Sequence, residues 1–184
     1  MSKQDLTYQI QHSSLEKGSH EFEFQVDERL FARFDSEELL NPDIHVDVVL
    51  HKENDRLMLH MEAEGTAELQ CDRCLDYFTH PVKAEQSIMV KFDEETNYDL
   101  NEDFVIIDKD SNAIDIAYLI YEMIILSLPV KRVHPPDENG NSTCNPEVTK
   151  YIAGESKLGP DEEGGSDMTP GDDSWKDDLK DLIN

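Results

Sequence analysis

Positive charge is what this sequence has least of. Sixteen Lys and Arg stand against 42 Asp and Glu, which leaves a net charge of −26 at pH 7. Affinity for nucleic acid comes from Lys and Arg displacing counterions from phosphate. An electrostatic grip on RNA or DNA is therefore disfavoured. A basic protein partner, or RNA reached through one, suits such a surface better. Long apolar runs are missing too. No stretch approaches the roughly 18 to 20 continuous apolar residues of a spanning helix. Met1-Ser-Lys-Gln-Asp-Leu6 is not followed by the apolar segment of a signal peptide. The expectation is a cytoplasmic protein with no membrane partner. Catalytic signatures are also missing: there is no nucleophile elbow, P-loop or H-E-x-x-H. Neither an enzyme nor a small-molecule substrate is expected. Apolar residues make up 38% and charged residues 32% of the 184, so part of the chain should lie outside any core.

Cysteine is nearly absent, and its three occurrences carry the most information. An odd count in a reducing compartment argues against a disulfide framework and towards metal or free thiols. Cys71-Asp-Arg-Cys74 holds two of them. The C-x-x-C spacing lets one tight turn aim two sulfurs at a single point, as zinc requires. Cys144 lies far downstream, with His134 ten positions before it. Together Cys71, Cys74, His134 and Cys144 would make one structural Cys₃His zinc site. A loop of nine residues, beginning Pro135-Pro136, must then fold back to close it. A redox dithiol, reduced thiols with no metal, and a site of Cys71, Cys74 and Cys144 completed by an outside ligand are the alternatives. A dithiol works best at a helix N-terminus, whereas this one follows an alternating strand.

Periodicity supplies the fold class. Leu6, Tyr8 and Ile10 alternate with polar residues, as do Phe22, Phe24 and Val26, so both segments are candidate strands. Ser36-Glu-Glu-Leu-Leu40 looks like a capped helical turn stopped by Asn41-Pro42. Ile44, Val46, Val48 and Leu50, then Leu57, Leu59, Met61 and Ala63, predict a hairpin around Lys52–Asp55. Gly65 interrupts, and Ala67, Leu69 and Cys71 resume the same face. Past the C-x-x-C turn, Val82, Ala84, Ile88, Val90 and Phe92 again favour one parity. Residues 44–92 thus predict an antiparallel meander with one buried face. Phe104–Ile107 reads as a further strand, and Asp108-Lys-Asp-Ser-Asn112 offers helix-capping oxygens. Ile114–Leu128 is apolar nearly all round, so this main helix must be covered on most sides. Covering it with the sheet is the simpler reading, and using part of it to bind a protein is the sharper one. The class is α+β: an antiparallel meander on one apolar helix, with a zinc-knuckle-like turn. His45, His51 and His60 fall on polar strand faces and read as solvated.

The remaining chain changes character. Lys131-Arg-Val-His-Pro-Pro136 is the one local basic patch, with Lys150 nearby. From about residue 153 to 173 there is little but Gly, Pro, Ser, Asp and Glu, which spells disorder. Trp175, Leu179, Leu182 and Ile183 then recur at helical spacing and suggest a short amphipathic docking helix. The expected division is a domain over 1–152, an acidic linker over 153–172 and a terminal helix over 173–184. Residues 153–184 carry a net −7, so the body is acidic as well.

One ordered set of motifs resembles a known family. Gly65 and Cys71-Asp-Arg-Cys-Leu75 come first, followed by Ile114-Asp-Ile116 and Glu122-x-Ile-Ile-Leu-Ser-Leu-Pro129. His134, Cys144 and Asp173-Ser-Trp-Lys-Asp-Asp-Leu-Lys-Asp-Leu182 complete it. The set is similar to the YceD family, the large ribosomal RNA subunit accumulation proteins of bacteria and plastids. The likeness runs from about residue 44 to the C-terminus; the acidic stretch before Trp175 departs from it as an insertion. The resemblance implies a mixed β and α fold and a role in accumulation of large-subunit (23S) ribosomal RNA, hence in ribosome assembly. The partner it implies is a basic ribosomal protein or a large-subunit precursor particle, with direct RNA contact left open. The alternative is a zinc-stabilised interaction module, such as a transcription accessory protein, without a ribosomal role.

Overall fold

Alternating apolar residues build the sheet that organises the molecule. The computed structural model describes residues 8–152 except 55, 95 and 99–103. Its elements are β1 (Gln9–Ile10), β2 (Gly18–Val26), α1 (Glu28–Ala32), β3 (Leu40–Lys52), β4 (Arg56–Gln70) and β5 (Tyr77–Asp93). They continue with β6 (Phe104–Asp108), β7 (Ile114–Asp115), α2 (Ala117–Ser127) and α3 (Pro146–Ile152). The main sheet has the order β2-β3-β4-β5-β6. Its first four strands are antiparallel neighbours, β3 to β5 as residues 44–92 lead one to expect, and β6 lies parallel to β5. The fold is α+β with a mostly antiparallel sheet and few helices. The expected meander is extended by β2 on one edge and by a parallel strand on the other.

One face of the sheet is the core. Ile44, Val46, Val48 and Leu50 of β3 and Leu57, Leu59 and Met61 of β4 are all at most 1% exposed. Each such side chain contributes about 1.5–3 kcal/mol of burial free energy. Against that face lie Leu119, Ile120 and Ile124 of α2, all fully buried. The opposite face of β2–β5 carries the charged residues.

Four expectations change in detail. The capped turn near residue 36 is instead α1, whose Asp27 side chain accepts from the Arg29 N–H at 3.0 Å. Leu30 and Phe31 give α1 an apolar side to bury, whereas Leu40 already belongs to β3. The long helix starts at Ala117 and not at Ile114, because Ile114 and Asp115 pair with Ile10 and Gln9 as β7. Asp115 supplies the first-turn acceptor, taking the Ala117 N–H at 3.0 Å. The Asp108 carboxylate holds a turn by accepting from the Asp110 N–H, so it caps no helix. Finally, Gly65 does not interrupt β4. It pairs with Ile44, where β3 changes register between Leu40 and Asp43 and presses against it.

α2 is covered on its sheet side and on a second flank. There Tyr121 stacks on Phe34 with ring centroids 4.6 Å apart and meets Phe31 at 5.9 Å. Leu126 and Val130 stay open to solvent. No described helix is long and apolar enough to cross a membrane. The acidic linker, the terminal helix and Trp175, Leu179 and Leu182 lie outside the described residues.

Candidate metal centre

Sequence spacing delivers the first two sulfurs by local geometry. Residues 71–76 form the turn between β4 and β5. The Leu75 N–H donates to the Cys71 carbonyl at 2.9 Å, and the Cys71 N–H to the Asp76 carbonyl at 3.0 Å. The Arg73 N–H points at the Cys71 sulfur, 3.4 Å away. Closing so tight a turn puts Leu75 at φ 63°, the left-handed region that glycine favours. Cys71 and Cys74 are buried at 0% and 3% exposure.

The other two ligands arrive from the segment after α2. Asp72 is the hinge of that arrangement. Its N–H donates to the Arg132 carbonyl at 2.7 Å, and its carboxylate accepts from the Arg132 N–H at 2.7 Å. The Arg132 guanidinium pairs in turn with Glu38. This anchor sets His134 over the Phe78 ring, centroids 5.0 Å apart. The loop between His134 and Cys144 is folded around Asp137. Its carboxylate accepts from the Asn139 and Asn141 N–H groups at 2.9 and 2.7 Å. Those donors hold the Asp137 carboxyl below its ordinary pKa. Thr143 closes the loop by donating to the Pro135 carbonyl at 2.7 Å. Asn145 then accepts from the Glu147 N–H at 3.0 Å at the start of α3, and Val148 and Val133 pack on the cysteines.

All four expected ligands therefore meet. One donor atom from each of Cys71, Cys74, His134 and Cys144 lies within 4.8 Å of all the others. The Cys71 and Cys144 sulfurs are 3.7 Å apart, and the Cys74 sulfur is 3.5 Å from Nδ1 of His134. Tetrahedral zinc with ordinary bond lengths sets edges of about 3.8 Å between two sulfurs and about 3.6 Å between sulfur and nitrogen. A disulfide, by contrast, needs about 2.05 Å, and all three cysteines are free thiols.

Electrostatics point the same way. Burial opposes ionisation of Cys71, but the N–H groups of Cys74, Arg73 and His134, with the His134 ring, lower its pKa to about 6. Cys74 moves upward, because burial and the neighbouring Cys71 both disfavour a second negative charge. Cys71 ionises readily, and a thiolate on Cys74 is disfavoured beside it unless a cation offsets the charge, as a divalent ion among the donors would. The sequence marked the four candidate ligands and the loop from Asp137 that leads to Cys144. It did not expose Asp72 as the clasp, the Phe78 ring under His134, or the Asp137 carboxylate as the acceptor that folds the loop.

Fold and site together define an α+β domain that gathers three cysteines and a histidine, a donor set that could hold a metal ion, at one end of its sheet. A family model described as large ribosomal RNA subunit accumulation protein YceD matches residues 59–182, and the chain belongs to that family. Comparison with curated proteins and with solved structures found no match.

Proposed function

We propose that this chain is a non-enzymatic, cytoplasmic ribosome-biogenesis factor needed for accumulation of large-subunit (23S) ribosomal RNA. The family match over residues 59–182 is the observation that carries this reading. In it, Cys71, Cys74, His134 and Cys144 hold one structural zinc ion. Four protein ligands fill a tetrahedral site and leave no position for a substrate or a water nucleophile. Function then falls to surfaces.

A net charge of −26 favours a basic partner, which in this setting is a ribosomal protein or a precursor particle of the large subunit. The local basic patch gives little support to a direct RNA grip. Arg132 pairs with Glu38, and Lys150 pairs with Glu147 at 2.6 Å.

Depletion followed by quantification of mature large-subunit RNA tests the role. That RNA should fall relative to small-subunit RNA, and the protein should travel with precursor particles in low-salt gradients. Unchanged RNA, with the protein only in the free fractions, would favour an interaction module outside ribosome assembly. The metal has its own check. Purified protein should carry about one equivalent of zinc and lose it on Cys71→Ser. A preparation that melts identically with and without chelator would remove zinc from the picture.

A further inference from the structure

The start of β3 leaves apolar surface that neither the core nor the metal centre uses. Leu40 has the buried parity of β3, yet it is 38% exposed, because the strand changes register between Leu40 and Asp43. Such a shift re-aims a side chain. Leu40 then stands between two adjoining hollows. The first, of about 420 Å³, lies beside α1 with Phe31, Ala32 and Leu39 on its apolar side. A hollow of that volume takes a bulky apolar side chain. The second, of about 210 Å³, runs from the same Leu39 and Leu40 to Tyr77 and Arg132. Tyr77 is 53% exposed, so the groove continues along an open ring.

The rim of the first hollow is anionic. Glu28, Asp35 and Glu37 border it and have no ion-pair partner among the described residues. The guanidinium groups nearby are already committed, Arg29 to Asp27, Arg33 to Asp115 and Arg132 to Glu38. The last pair also fixes the wall of the groove, because the Arg132 backbone is clasped to Asp72. A wall held in place before binding costs less to order on binding.

We propose that this groove docks a segment of a basic polypeptide, with a bulky apolar anchor in the hollow beside α1 and flanking Lys or Arg on its rim. The apolar floor calls for the anchor, and the unpaired rim selects its flanks. Charge disfavours two nearer occupants. A second copy of this chain brings −26 and residues 153–184 bring −7, both of the rim's own sign. This deepens the reading above, on which it rests only for the source of the basic chain.

The test is fluorescence anisotropy with the full chain in physiological salt. The probe is a labelled decapeptide with Leu-Phe between two blocks of Lys and Arg. It should bind at least about tenfold more tightly than the same peptide with Ser-Ser at its centre. Ala32→Gln pushes a polar side chain into the hollow from an exposed helix position and should abolish that advantage. Its urea midpoint should stay close to that of the wild type, so lost binding is not lost folding. Leu40→Ser, which removes the wall instead of filling the hollow, should act in the same direction. Glu28→Gln, Asp35→Asn and Glu37→Gln together should weaken both peptides at least about fivefold. Neutralising Glu16, Asp110 and Glu138 instead should cost no more than about twofold.

Equal affinity for the two peptides, or an advantage that survives Ala32→Gln, would overturn the proposal. Equal losses in the two charge variants would do the same, by reducing the rim to net charge. So would a synthetic peptide of residues 173–184 that displaces the probe, or a dimer that Ala32→Gln dissolves. If the groove binds the anchored peptide but depletion leaves large-subunit RNA unchanged, the ribosomal reading falls and the groove stands.

Discussion

A buried histidine and a tightly approached glycine carry more of this fold than their size suggests. His12 is 5% exposed, with its ring 5.3 Å from Phe92. Its Nε2 has no hydrogen-bond partner among the described residues. Burial, reinforced by the Lys52 ammonium, lowers its pKa. The folded state therefore favours the neutral ring. Below the unfolded value of about 6.5, the unfolded chain takes up a proton that the folded chain resists. This contribution is complete above that pH and is lost as pH falls towards the lower folded value. The urea midpoint of the wild type should drop as pH falls below about 6.5, and His12→Leu should flatten part of that slope. Identical slopes would show that the buried ring does not sense pH. Gly65 is the second position. A Cβ there would come within 2.6 Å of the Ile44 Cα and closer still to the Asp43 carbonyl oxygen. Gly65→Ala must push two strands apart and should cost about 1–3 kcal/mol in urea unfolding. A loss below a few tenths of a kcal/mol would mean that β3 yields there.

Among the elements, the turn between β4 and β5 depends on a distant segment. Its two cysteines are placed by hydrogen bonds within residues 71–76, while His134 and Cys144 are placed by Asp72, Phe78 and the Asp137 loop. Asp72 ligates nothing, yet it holds residue 132 through two backbone-directed bonds. Asp72→Ala should weaken zinc affinity by about 10- to 100-fold, as loss of a ligand-orienting contact does. Competition with a chromophoric chelator measures this, and an unchanged affinity would show that the loop positions itself. The C-x-x-C pair and its strand were legible because both are local patterns. The start of α2 was not. Ile114-Asp115 fits a helical period and a strand equally well, and pairing with residues 9–10 decides between them. The turn expected at residue 36 failed for a related reason: Leu39 and Leu40 are apolar in either state.

For the molecule as a whole, the candidate metal centre would join residues 71–74 to 134–144 across about half of the described sequence. Removing the ion should loosen that end first. Hydrogen exchange after chelation should rise in residues 70–77 and 131–150 before it rises in the middle of β3 and β4, where the core is densest. Uniform acceleration across the sheet would show that the centre supports the entire fold. The charge is also a property of the whole. A count of −26 predicts a basic partner, but it says nothing of where that partner sits.

The sequence by itself determined the α+β class, the alternating strands, the buried parity and the four candidate ligands. Each of these is written in residue type and short-range spacing. Only the tertiary structure decided that the four donors reach one point, because that depends on a loop closed by Asp137 and a segment anchored by Asp72. It also decided that Phe31, Ala32, Leu40 and Tyr77 border one groove. No spacing along the chain marks them as neighbours; the placing of α1 beside the start of β3 and the β4–β5 turn does.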